Sequence, residues 1–120
     1  INRPLLMKEH AMPIELPTPI SRYFIADQDR DAEAVARCFT DSAVVQDEGR
    51  RYEGIAAIRQ WKADASTKYS YTAEPFSMTT DGDRIVVTSH LEGDFPGSPV
   101  DLRYFFRLEG DKVAELEIIL

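Results

Sequence analysis

Two histidines, His10 and His90, and one cysteine, Cys38, are the residue types most often recruited for chemistry near neutral pH. The histidines lie far apart, with no HxxxH, CxxC or Asp-rich loop around either, so no metal site is expected. Cys38 has no histidine near it in sequence to mark it as a nucleophile and reads as a small buried packing residue. GxGxxG, GxxxxGK[ST] and GxSxG are all missing, which removes the local signatures of dinucleotide, nucleotide and serine-hydrolase sites. Any chemistry must then use ordinary side chains without a cofactor. An aspartate enclosed by apolar groups is disfavoured as an anion, so its pKa rises and it becomes a base suited to a proton beside a carbonyl. Asp47 is open to that reading and to a second one, a solvated strand-end carboxylate paired with Arg50 or Arg51.

The elements that must position these groups follow from periodicity. Thr18 before Pro19 is a helix opening, and Ile20, Tyr23, Phe24 and Asp27 then recur at i, i+3, i+4, i+7, a stripe of large groups with a carboxylate at its end. A second helix is expected after the acidic link Asp27 to Asp31, burying Ala32, Val35, Ala36 and Phe39. From Ala43 to Gln46 the chain turns to strand, with Val45 and Asp47 on one side and Val44 and Gln46 on the other. Gly54 opens a third helix with Ile55, Ile58, Trp61 and Ala65 at helical spacing, Trp61 reading as core or pocket wall.

Everything after Ser66 reads as strand. Tyr69 to Met78 alternates until Pro75, which marks a bulge or an edge, and Asp81-Gly82-Asp83 is a hairpin turn. Arg84 to Phe95, Val100 to Glu109 and Val113 to Leu120 complete a meander. Its last hairpin has Leu102, Tyr104, Phe106 and Leu108 on one face and Ala114, Leu116, Ile118 and Leu120 on the other strand's matching face. An odd loop, Gly110 to Lys112, brings those faces together and sets Arg107 opposite Glu115. His90 shares a strand face with Val86, Thr88 and Glu92. It is either a cavity acid or base, or a surface or dimer-face histidine. Helices first and sheet last is the α+β pattern, with the helices on one face of the sheet.

Composition bounds the rest. At 120 residues there is room for one core, so an arm over residues 1–17, holding Met7 and Met12 as alternative starts, and one domain over 18–120 are expected. A formal charge of -7 argues against a phosphate-backbone partner, because nucleic-acid affinity rests on Lys and Arg. No run approaches the ~18 apolar residues that span a bilayer. A single cysteine forms no internal disulfide, and a soluble protein of the reducing cytoplasm is expected.

Three helices followed by strands, with Phe39-Thr-Asp-Ser-Ala-Val-Val-Gln-Asp47 between helices two and three, resemble the nuclear transport factor 2-like superfamily, in its SnoaL-like polyketide cyclase and ketosteroid isomerase-like branches. Tyr52-Glu-Gly54 leading into Ile55 to Trp61, and Gly93 to Pro99 entering the strand of Tyr104-Phe-Phe-Arg107, extend the resemblance over Pro19 to Leu120. The resemblance implies a cone-shaped, curved antiparallel sheet wrapped around the three helices. It also implies an apolar cavity for a small hydrophobic molecule, and homodimers through the outer sheet face. It places the general base at Asp47 and an oxyanion donor at Tyr23, whose 24-residue separation fits the isomerase spacing. The second donor, a protonated aspartate in that family, falls on Tyr104, and Asp101 lies on the opposite strand face. That departure points away from a steroid and toward a cyclase or isomerase on another apolar carbonyl compound, or toward a non-catalytic ligand-binding or association module. The pocket wall implied is Phe24, Phe39, Val45, Ile58, Trp61, His90, Phe106, Leu116 and Ile118.

Overall fold

The computed structural model describes residues 14–120. Of the expected arm only residues 14–17 fall within that range, and they form neither helix nor strand; the alternative starts and His10 lie outside the described residues. The described chain runs α1 (Thr18–Gln28), α2 (Ala32–Ala36), β1 (Phe39–Asp47), β2 (Arg50–Glu53), α3 (Ile55–Lys68), β3 (Tyr71–Asp81), β4 (Arg84–Gly93), β5 (Val100–Glu109) and β6 (Lys112–Ile119). The six strands form one curved, unclosed sheet in the order β2-β1-β6-β5-β4-β3. The helices segregate from the strands, as the α+β pattern requires.

Local chemistry sets the helix ends. Pro17, rather than Thr18, caps α1, and its carbonyl accepts the amides of Ile20 and Ser21; the Thr18 hydroxyl makes no capping bond. Asp31 caps α2 by accepting the Ala34 amide at 3.0 Å. This helix is only five residues long, so Phe39, expected on its buried face, instead begins β1 and is buried from there. β1 starts four residues before the expected Ala43, and a short strand, β2, occupies part of the expected polar turn. Glu48 and Gly49 join β1 to β2 with φ of +54° and +76°, the positive pair that a tight two-residue hairpin demands.

One junction of the sheet departs from the antiparallel expectation. β1 and β6 run parallel, with Val45 beside Leu116 and Asp47 beside Ile118. Parallel neighbours need a long crossover, and here α3 with β3 to β5 supplies it. The last hairpin keeps the expected pairing of Arg107 with Glu115 but reaches it differently. Its loop is the two residues Gly110 and Asp111, and a bulge between Arg107 and Leu108 takes up Ala114. The net offset is the odd one that the two apolar faces demanded. Pro75 likewise marks a bulge, between Pro75 and Ser77 on the edge strand β3.

The concave face of the sheet holds the core. Ile20, Tyr23 and Phe24 of α1 meet Val45 of β1, Ile58 and Trp61 of α3, Val87 and Leu91 of β4, Tyr104 and Phe106 of β5, and Leu116 and Ile118 of β6 in one buried cluster. Cys38 joins it, buried, with its thiol donating to the Ala34 carbonyl at 3.4 Å.

Candidate functional site

Asp47 ends β1, where the tight turn into β2 fixes its backbone. Its Oδ2 accepts the Trp61 indole N–H at 3.1 Å across the gap between β1 and α3. Burial pushes the Asp47 carboxyl above the ordinary aspartate range. Glu48 and Asp27 push the same way, while the indole hydrogen bond and Lys62 oppose them. Neither Arg50 nor Arg51 pairs with it among the described residues; Arg51 turns to Glu53 at 2.6 Å. Trp61 is therefore more than wall. It holds the carboxylate with its N–H and stacks its ring on Tyr52 at 5.9 Å.

Tyr23 is fully buried in an aromatic nest. Its ring lies 5.3 Å from Phe24, 5.7 Å from Phe106, 6.1 Å from Phe39 and 6.3 Å from Tyr104, mostly edge to face. Its hydroxyl has no hydrogen-bond partner among the described residues. Burial first, then Asp27, Tyr104, Tyr71 and Asp47, hold that hydroxyl far from ionisation, so it is a proton-bearing donor. Tyr104, paired with Ile118 and Val87 on the neighbouring strands, is buried too, and burial chiefly suppresses its ionisation, with Asp27, Tyr71 and Asp47 adding to the effect.

Three residues at this centre escape motif reasoning. Asp27 and Lys62 form a buried ion pair at 2.6 Å, their side chains 3% and 6% exposed. The same Asp27 oxygen accepts the Tyr71 hydroxyl at 2.8 Å, and the Lys62 ammonium approaches that hydroxyl at 3.4 Å. Lys62 Nζ also sits 4.4 Å from the centre of the Trp61 ring and 5.5 Å from that of Tyr23. Trp61 and Lys62 thus tie Asp47 to Asp27, Tyr71 and Tyr23. A signal was present in the sequence: Asp27 closes the apolar stripe of α1, and Lys62 stands four residues after Ile58 on the buried stripe of α3. Opposite charges on two inward stripes have to find each other.

Of the expected pocket wall, Phe24, Phe39, Val45, Ile58, Trp61, Phe106, Leu116 and Ile118 all fall in the one core cluster. His90 does not. The alternation that buries Val87, Ser89 and Leu91 turns His90 to the convex face, where its ring Nδ1 lies 2.8 Å from Asp101 Oδ1. It is therefore corrected from pocket wall to outer-face residue. Asp101, 54% exposed, is on that outer face as its strand parity required. The wall residues pack against one another, and two surface cavities, of about 420 and 320 Å³, are not lined by Asp47, Tyr23 or Tyr104. One lies among Glu33, Arg37, Phe39, Ile55, Arg59 and Lys112, the other beside Pro19, Ile25 and Cys38. Among the described residues no group of three or more His, Cys, Asp or Glu could hold a metal ion, and no helix is long and apolar enough to cross a membrane.

No curated protein matches the chain, but solved structures do. One from Sinorhizobium meliloti, named for a proposed polyketide-cyclase activity, is 43% identical and superposes with a TM-score of 0.81, covering 87% of this chain and 95% of the other. A ketosteroid isomerase-like fold protein from Catenulispora acidiphila, solved with trimethylamine, is 16% identical with a TM-score of 0.78, over 88% and 87% of the two chains. A nuclear transport factor 2-like protein from Cytophaga hutchinsonii is 12% identical with a TM-score of 0.68, over 90% and 93%. The last two share the fold. The SnoaL-like domain matches residues 20–116, and the chain belongs to that family, with the α+β architecture of nuclear transport factor 2-like proteins.

Proposed function

We propose that the protein is a cofactor-independent cyclase or isomerase in which Asp47 removes a proton adjacent to the carbonyl of a small, apolar, neutral substrate. The observation that carries this reading is the Asp47 carboxylate itself, partly buried, raised in pKa by that burial and fixed by the Trp61 indole. A base whose pKa is raised toward the working pH takes a weakly acidic C–H proton more readily than an ordinary surface aspartate. The C–H bond breaks, its proton goes to Asp47, and the electron pair moves through the new C–C double bond onto the carbonyl oxygen. The unpartnered Tyr23 hydroxyl supports the role of a donor for that oxygen, with Tyr104 beside it. Asp47 is partly exposed while Tyr23 and Tyr104 are enclosed, so substrate meets the carboxylate first.

Proton abstraction can be tested whatever the natural product is. Apolar cyclic ketones in heavy water should exchange their α-hydrogens for deuterium in the presence of the protein, read by NMR, and Asp47→Asn should reduce exchange to the uncatalysed rate with folding intact. Exchange undiminished in that variant ends the reading and leaves a binding module. The convex face supports a homodimer, since Val86 and Phe105 pair there as cross-strand neighbours with Ile119 near them on β6. Light scattering on the protein and on Phe105→Glu tests that assembly.

A further inference from the structure

Away from the concave core, the cavity of about 420 Å³ opens where α2 and the starts of β1, α3 and β6 come together. Its apolar side is Ala36 and Phe39, both almost fully buried, with Ile55, the first residue of α3. Thr40 and Asp41 line it from the stretch where β1 loses register with β6, between Phe39 and Val44. Its charged groups are three cations, Arg37, Arg59 and Lys112, and two carboxylates, Glu33 and Asp41. The chain as a whole carries a formal charge of -7, so this hollow has the opposite sign to the protein around it.

Hydrogen-bond donors outnumber acceptors here. Arg59 directs Nε and Nη2 to the two Glu33 oxygens at 2.8 and 3.3 Å, which occupies that carboxylate. The Arg37 guanidinium, 66% exposed, lies 3.9 Å from Glu33, too far for a hydrogen bond. Lys112 gives one of its three N–H groups to the Arg37 carbonyl at 2.8 Å. The planar fork of Arg37 and two donors of Lys112 are therefore left for an incoming ligand. Charge decides its class. Three cations against two carboxylates leave one positive charge, which a single carboxylate balances, whereas a phosphate monoester with nearly two negative charges would leave a surplus. A carboxylate also matches the guanidinium fork in shape. We infer that this cavity binds a small monocarboxylate with an apolar body, its carboxylate on Arg37 and Lys112 and its body against Phe39 and Ile55. The volume is that of an ordinary small-molecule site. None of these residues belongs to the Asp47 centre, so the inference stands apart from the proposed reaction.

Phenylacetate is a suitable probe. Titrated into isotope-labelled protein, it should shift the amide NMR signals of Thr40, Asp41 and Ile55 saturably and leave the Trp61 indole signal in place. Phenylacetamide keeps the ring without the charge, acetate keeps the charge without the ring, and inorganic phosphate carries the wrong charge. Each should bind about tenfold or more weakly, as should phenylacetate in 1 M salt at about a 3 Å screening length. Arg37→Gln/Lys112→Gln removes two exposed cations and should stay folded by circular dichroism while its affinity for phenylacetate falls about tenfold or more. Asp47→Asn should bind the probe as wild type does. Unchanged affinity in the double variant overturns the inference, as does equal binding of phenylacetamide, acetate or phosphate. Shifts confined to Trp61 and its neighbours, or no saturable shift at all, overturn it too.

Discussion

The two faces of the one sheet use ion pairs in opposite ways. On the concave side a single pair among the described residues, Asp27 with Lys62, is almost completely enclosed by aromatic rings. On the convex side Arg84 with Glu117, Arg107 with Glu115 and His90 with Asp101 cross from strand to strand with side chains 33% to 54% exposed. The same charge chemistry does different work according to the water around it. Convex pairs lose little hydration and contribute little, whereas the concave pair sacrifices its hydration and has to be fully partnered. Three shallow pairs tidy a surface, and one deep pair organises the polar centre of the core.

The largest test of this contrast is Lys62→Met, which strands the Asp27 carboxylate in the core. It should cost about 3–5 kcal/mol in urea unfolding, and adding Asp27→Leu should recover most of that. A loss below about 1 kcal/mol would make the buried pair no different from a surface pair. Tyr23→Phe should act in the other direction. Removing a buried hydroxyl that lacks a partner relieves a desolvation cost and should stabilise by about 1–2 kcal/mol, while exchange activity falls. If stability falls instead, the hydroxyl has a partner in solution.

Asp47 gives a pH-dependent case. Its folded pKa is raised, so the native state holds the proton more tightly than the unfolded chain. The stabilisation is present below the ordinary aspartate pKa and is lost as pH rises through the folded value. Asp47→Asn should therefore melt higher than wild type at neutral pH, with the gap closing on acidification. Because Trp61 is the sole tryptophan and donates to this carboxylate, its emission should titrate at the same midpoint. The smallest effect belongs to the convex face. A double-mutant cycle on Arg107 and Glu115 should give a coupling of about 0.2–1 kcal/mol that fades in high salt. A coupling as large as that of Asp27 with Lys62 would remove the distinction between the faces.

Much of this architecture was readable in the chain because its signals are local. The stripes of α1 and α3, the Gly54 opening and the Pro75 irregularity depend on neighbours within a few residues, and the structure carries all of them. The pairing of Arg107 with Glu115 was readable for a less local reason: two strands with opposite buried faces admit only one parity. How that parity is met, by bulging Ala114 out of a two-residue hairpin, depends on backbone detail that no side-chain pattern records. The parallel contact of β1 with β6 joins segments about seventy residues apart, beyond the reach of any period. Asp47 and Tyr23 came from a motif, whereas Asp27, Lys62 and Tyr71 did not, because a buried charge is improbable until its partner is placed beside it. His90 was undecidable from its strand alone, since both faces of β4 carry apolar residues, and the burial of Val87 and Leu91 in the core cluster settled its direction.

An unclosed sheet has two borders, and at one of them Gln28 bonds the backbone of Tyr71 and Ala73 while a bulge follows Pro75. Proline offers no amide hydrogen there, and the extra residue, Phe76, interrupts the even ladder that another chain would need for strand-on-strand addition. At the opposite border β2 is four residues long and carries Arg50, Arg51 and Glu53, too short and too charged to template a neighbour. Both borders thus carry features that disfavour strand-on-strand addition of another chain.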